Sequence, residues 1–120
     1  MKFFNTLSRS IEEFAPLDSA QQKIGMYCCG PTVYDFAHIG NWRTFMFGDL
    51  VRRYLEFKGY AVHHVMNITD VDDKIIKRVG ETKTSLSEFT GKFEAAFFDD
   101  LRTLNCRLPH ETPRASEHIP

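Results

Sequence analysis

A strand, helix, strand run between residues 23 and 66 constrains this chain more than any other feature. Residues 23–29, Lys-Ile-Gly-Met-Tyr-Cys-Cys, read as a buried strand stopped by Gly30-Pro31. Residues 40–57 place Trp42, Phe45, Met46, Leu50, Tyr54 and Phe57 at spacings of three and four, with Asp49, Arg52, Arg53 and Glu56 between them. That period predicts an amphipathic helix. Lys58-Gly59 closes it, with a cation in the last turn and a glycine just past it. Residues 60–66, Tyr-Ala-Val-His-His-Val-Met, read as a second strand. Two strands joined by a helix of this length form a crossover unit, so they are predicted to lie parallel.

The flanks add less. Residues 2–7 read as a short edge strand and 8–22 as a polar loop. Asn67-Ile68-Thr69-Asp70 leads into a shorter helix starting near Asp72, with Asp70 or Asp72 as its cap. A longer helix over 84–105 opens on Ser85-Leu86-Ser87-Glu88, a capping box, and carries Phe89, Phe93, Phe97, Leu101 and Leu104 on one core-directed face. The tail, 109–120, holds three prolines and reads as loop. Residues 22–80 thus form a βαβ core. A parallel sheet needs cover on both faces and usually has more than three strands. The expected architecture is therefore α/β and half of a nucleotide-binding fold, carried on a piece of a longer protein.

Charge and cysteine usage narrow the function classes. Fifteen basic against sixteen acidic residues give a net charge of −1, which offers no basic field for non-specific nucleic-acid binding. Three cysteines, with Cys28 and Cys29 adjacent, make no disulfide framework and fit a reducing compartment. No stretch approaches the roughly 20 apolar residues of a membrane span, and Met1 to Thr6 carries no signal-like apolar run. A cytoplasmic location without a membrane partner is expected.

The chemistry concentrates in Cys28-Cys29-Gly30-Pro31-Thr32-Val33-Tyr34-Asp35-Phe36-Ala37-His38-Ile39-Gly40-Asn41. This stretch runs from a strand end through a loop to a helix start, and in open α/β sheets ligands bind in the crevice at that edge. The helix N-terminus offers unpaired N–H groups to phosphate. Gly40 allows close approach, and His38 can donate to a phosphoryl oxygen. Other polar residues have plainer readings. Cys28 faces the core as a small apolar group, and Cys106 has no assigned role. His63 and His64 point to opposite faces of a strand and cannot jointly grip a metal. Asp70, Asp72 and Asp73 fail the calcium-loop pattern, because Lys74 and Ile75 follow where a ligand and a glycine are needed. Arg52-Arg53 reads as a solvated helix face.

Two long runs carry a resemblance. His38-Ile39-Gly40-Asn41 resembles the His-Ile-Gly-His element of class I aminoacyl-tRNA synthetases. The wider pattern from Tyr27 and Cys29-Gly30-Pro31-Thr32-Val33-Tyr34-Asp35 through Arg43-Thr44-Phe45 resembles the cysteinyl-tRNA synthetase family in particular. So does Asn67-Ile68-Thr69-Asp70-Val71-Asp72-Asp73-Lys74-Ile75. The similarity runs from Phe4 to Ala115. It implies the N-terminal half of a Rossmann-like (HUP-type) catalytic domain. The implied reaction makes cysteinyl-adenylate from cysteine and ATP, with Mg²⁺, and passes the cysteinyl group to tRNA-Cys.

The same resemblance implies roles for individual residues. Cys29 would be one of four protein ligands of a zinc ion that also takes the substrate thiolate, and zinc's preference for sulfur would reject serine. Gly30, Thr32 and Thr69 would contact the substrate cysteine, with Thr69 on its amino or carboxylate group. His38, Gly40 and Asn41 would bind ATP, and His38 and Asn41 would stabilise the reacting α-phosphate. Asn41 stands in place of the element's second His, keeping a hydrogen-bond donor but no charge. Trp42 occupies a position where the family often has a small residue. The family's Lys-Met-Ser-Lys-Ser loop, the other zinc ligands and the tRNA-binding bundle do not occur in this sequence, so residues 1–120 alone are expected to be inactive. A full-length monomer is expected. Two alternatives share parts of the pattern, a cysteine:amino-sugar ligase of mycothiol synthesis and a small nucleotidyltransferase.

Overall fold

A computed structural model describes all residues except 19, 21, 83 and 120, so parts of the stretch read as polar loop and the last residue of the tail lie outside the described residues. The elements run β1 (Lys2–Asn5), β2 (Ser10–Glu13), β3 (Lys23–Cys28), α1 (Ile39–Phe57), β4 (Ala61–Met66), α2 (Asp73–Glu81) and α3 (Leu86–Thr103), then a 3-10 turn at Ala115–Glu117. β3 and β4 pair in parallel, from Lys23 opposite Ala61 to Cys28 opposite Met66. With α1 as the crossover, the predicted βαβ unit is present. β3 is not buried throughout, however. Ile24 is buried and Tyr27 exposed, the alternation of a sheet covered on one face.

The N-terminal strand does not extend that sheet. β1 pairs with β2 in a separate antiparallel hairpin, and β2 falls within the stretch read as loop. The hairpin is held by polar contacts, such as Asn5 Nδ2 donating to Glu12 at 2.9 Å, around a turn where Arg9 takes φ of 54°. Its sequence lacks the apolar alternation that would mark a strand.

α1 packs on two surfaces. Leu55 joins Ile24 and Val62 of the sheet, while Trp42 and Phe45 join Met66, Phe97, Leu101 and Cys106. Trp42 stacks on Phe97 with ring centroids 5.2 Å apart. Of the expected stripe only Trp42 and Phe45 are buried, since Met46, Leu50, Tyr54 and Phe57 are exposed. On α3, Phe97 and Leu101 are buried but Phe89 and Phe93 only partly, and Leu104 is the exposed C-cap. Ser85 Oγ accepts from Glu88 N at 3.2 Å, the serine half of the capping box.

Polar residues read as surface or caps do internal work. Arg52 is buried, not solvated: Nε donates to Glu56 at 2.9 Å and Nη1 to the Leu108 carbonyl at 2.7 Å. Asp49 accepts from Arg107 N at 2.8 Å, so α1 grips the chain leaving α3. Asp72 caps α2 by accepting from Lys74 N at 2.8 Å. Asp70 does not cap it; it is buried and accepts from Ser116 N at 2.9 Å.

These contacts seat the tail, which is more than a loop. It runs along the second edge of β4 in parallel bridges, Val65 with Glu111 and Ile68 with Arg114. Met66 N donates to the Glu111 carbonyl at 3.0 Å and Ile68 N to the Pro113 carbonyl at 2.9 Å. Pro109 and Pro113 lack N–H groups, so only interrupted bridges form there.

β4 places its two histidines on opposite faces, as predicted. His63 is exposed and sits 2.9 Å from Glu111, whereas His64 is 2% exposed and neither ring nitrogen has a hydrogen-bond partner among the described residues. Burial, then the nearby Arg52 and His110, holds the His64 imidazole below its ordinary pKa of 6.5. The unfolded chain therefore binds the extra proton first as pH falls. Stability from this group is full above pH 6.5 and is lost as pH drops through that value toward the lower folded pKa. The melting temperature should fall between about pH 7.5 and 5.5, and His64→Leu should flatten that fall; an equally steep fall in the variant would contradict this reading.

Candidate functional site

β3 and β4 end side by side, and the chain beyond each is stitched to the other. Thr32 and Thr69 form a parallel bridge, with Val33 N donating to the Thr69 carbonyl at 3.1 Å and Thr69 N to the Pro31 carbonyl at 3.0 Å. At the crossing point Gly30 N donates to Asn67 Oδ1 at 3.0 Å. A Cβ on Gly30 would stand 1.7 Å from the Asn67 carbonyl oxygen, so no other residue fits this crossing. Cys29, Gly30, Thr32 and Thr69 thus lie at one end of the sheet.

The start of α1 reaches the same edge. His38 is its N-cap: Nδ1 accepts from Gly40 N at 3.0 Å, while His38 N donates to Asn41 Oδ1 at 3.2 Å. This is a capping box built from His and Asn. A ring nitrogen that accepts carries no proton, so the neutral imidazole keeps its proton on Nε2. Asn41 likewise spends its oxygen on the cap, and among the described residues its amide N–H groups have no partner. Both side chains are exposed and present donors to a ligand. A Cβ on Gly40 would sit 2.8 Å from the His38 ring, so glycine is what lets the ring fold onto the helix start. Trp42 Nε1 donates to the Ala37 carbonyl at 3.2 Å and steadies the loop before His38. Its bulk lies in the core rather than in the crevice.

A cavity of about 370 Å³ gathers Gly30, Thr32, His38 and Asn41, with Lys74 and Phe93 also on its wall. The other predicted residues stand beside it. Cys29 lines a neighbouring apolar cavity of about 320 Å³ with Cys28 and Met66, and Gly40 opens onto the outer face of α1. Thr69 is half-buried behind the Thr32 bridge. Sequence reasoning assigned nothing to Lys74 or Asn67, although both lie in the run Asn67 to Ile75. Lys74 Nζ sits 5.2 Å from the Tyr34 ring centre, and Arg78 pairs with Asp35 at 3.1 Å, which together brace the loop. The bond from Phe36 N, then Arg78, holds the Asp35 carboxyl below its usual range.

The fit to zinc is incomplete. Cys29 is an exposed thiol, whereas burial pushes the half-buried Cys28 thiol up. Among the described residues no group of three His, Cys, Asp or Glu side chains could hold a metal ion. One thiol falls short of the four ligands that a structural zinc takes, so these residues do not fit the ion on their own.

Parallel strand ends joined by a crossover helix, with a glycine crossing and a helix N-terminus at one edge, define an α/β domain of partial Rossmann-like type. Residues 15–120 match the family described as tRNA synthetases class I (C) catalytic domain, and the chain belongs to that family. It is 50% identical over 117 residues to a cysteine–tRNA ligase of Brachyspira hyodysenteriae, covering 98% of this chain and 24% of that protein. Against the cysteine–tRNA ligase of Thermococcus kodakarensis it is 50% identical over 119 residues, 99% of this chain and 25% of the relative. The Solibacter usitatus protein of the same name is 49% identical over 119 residues, with the same coverage of 99% and 25%. The chain spans about a quarter of the length of the curated relatives it matches.

Gly30→Ala tests the crossing. Overpacking against backbone should destabilise the fold by about 1–3 kcal/mol and disturb the Thr32 and Thr69 amides in NMR spectra. A variant with unchanged melting and spectra would mean that the strand ends are not this close.

Proposed function

We propose that this chain is the N-terminal portion of the catalytic domain of a cysteine–tRNA ligase, with 22–80 as its nucleotide and cysteine core, 84–105 as a supporting helix and 109–120 as the tail. The whole protein would join cysteine to ATP, with Mg²⁺, and pass the cysteinyl group to tRNA-Cys. The observation that carries this reading is the donor-only face of the His38–Asn41 cap. As the cysteine carboxylate attacks the α-phosphorus and pyrophosphate leaves, negative charge builds on the non-bridging oxygens. His38 Nε2–H, the Asn41 amide and the N-terminus of α1 would meet that charge without reorganising. Gly40 makes room for the phosphate, while Gly30, Thr32 and Thr69 would hold the amino acid.

Cys29 is proposed as one thiolate of a zinc site completed by side chains outside this chain; that assignment rests on the resemblance and no step is derived through it. With a net charge of −1, most tRNA contact would also fall outside this chain. A cytoplasmic monomer fits this role. Among the described residues no helix is long and apolar enough to cross a membrane. The matched relatives cited above carry the cysteine–tRNA ligase name, and nothing favours the amino-sugar ligase or the nucleotidyltransferase.

Cysteine-dependent exchange of pyrophosphate into ATP is the direct test. In the full-length protein His38→Ala should lower the exchange rate by about 10²–10³-fold, and residues 1–120 alone should give none. Unaltered exchange in the variant, or exchange by the short chain, would overturn the proposed division of labour.

A further inference from the structure

Asn67 has no role in the reading above, yet its side chain bonds in two directions at the strand ends. Oδ1 accepts from Gly30 N at 3.0 Å and from the Tyr27 hydroxyl at 2.9 Å, and Nδ2 donates to Thr69 Oγ1 at 3.1 Å. The amide orientation is fixed by chemistry. A backbone N–H can only donate, so oxygen must face Gly30 and the NH₂ must face Thr69. The Thr69 hydroxyl is therefore an acceptor toward Asn67. It has one proton and one further lone pair to offer a ligand. Among the described residues Oγ1 has no other hydrogen-bond partner.

That arrangement distinguishes the two ends of an amino acid. A carboxylate takes the free proton, and the hydroxyl then accepts once and donates once. An ammonium fills the second lone pair and leaves the hydroxyl proton without a partner, which is costly in a half-buried site. We propose that Asn67 is a positioning residue: it fixes the polarity of Thr69 so that Thr69 donates to the carboxylate of the amino-acid substrate. Through Gly30 the same side chain sets the backbone that follows Cys29. One amide thus registers the loop carrying the thiol against the residue that holds the carboxylate. The inference rests on the amino-acid role proposed for Thr69.

Asn67→Asp in the full-length protein is the test, because it keeps an oxygen toward Gly30 and Tyr27 but turns the Thr69 partner from donor to acceptor. In pyrophosphate exchange the KM for cysteine should rise about 10- to 100-fold, with the KM for ATP and the melting temperature little changed. Asn67→Asp combined with Thr69→Val should be no worse than Thr69→Val alone. Cysteamine, which keeps the amine and thiol but lacks the carboxylate, should inhibit wild type and Asn67→Asp alike. A purely structural role would instead lower the melting temperature and spare the cysteine-to-ATP contrast. An unchanged cysteine KM, or weaker inhibition by cysteamine, would overturn the proposal. If Thr69→Val leaves the cysteine KM unchanged, or wild type shows no exchange, the amino-acid reading itself fails and the inference falls with it.

Discussion

Gly30 passes Asn67 so closely that one added methyl would stand 1.7 Å from a carbonyl oxygen, and the candidate site depends on that approach. It lets the chain leaving β3 bridge the chain leaving β4, which sets Thr32 opposite Thr69. The loop then continues to His38, whose cap on α1 aims donors at the same edge. Parallel strands supply the direction, since both carboxyl ends must fall on one side of the sheet. Helix polarity supplies the charge.

Around this edge, polar groups inside the fold decide where the last segment goes. Arg52 and Asp49 on α1 hold residues 107 and 108, and Asp70 holds Ser116, so the tail is fastened at both ends beside β4. A strand edge with unpaired N–H and C=O groups is a liability, and the tail covers part of it. Burial and then the Arg52 guanidinium penalise the charged form of His64 beside the tail and hold its pKa below the ordinary value. Stability and site geometry are therefore coupled through β4, which carries His64 at its centre and Asn67 and Thr69 just past its end.

The parallel pair, its crossover helix and the meeting of the Cys29 and Thr69 segments at one edge were legible in the sequence, because apolar period and chain order dictate them. The side of α1 that meets the core was not. Leu50, Tyr54 and Phe57 share the helical period with Trp42 and Phe45, and only packing against β3, β4 and α3 separates the two sets. Arg52 was misread, and the buried role of Asp70 was missed, for a common reason: their partners, the Leu108 carbonyl and Ser116, lie more than forty residues along the chain. The β1–β2 hairpin was hidden by its polar composition. At the site, motif similarity pointed to residues that would touch ligands and passed over Asn67, whose work is visible only once Gly30 and Thr69 are seen on either side of it.

The central claim is that one crevice at the β3 and β4 ends takes both the amino acid and the nucleotide. Hydrogen–deuterium exchange of the full-length protein, with and without a non-hydrolysable cysteinyl-adenylate analogue, tests it most directly. Protection should appear in peptides spanning Cys28 to Asn41 and Asn67 to Asp70, while the C-terminal half of α1 and the tail from Asn105 stay unchanged. Protection confined to the outer face of α1 or to the open face of the sheet, with residues 28–41 unaffected, would contradict the account.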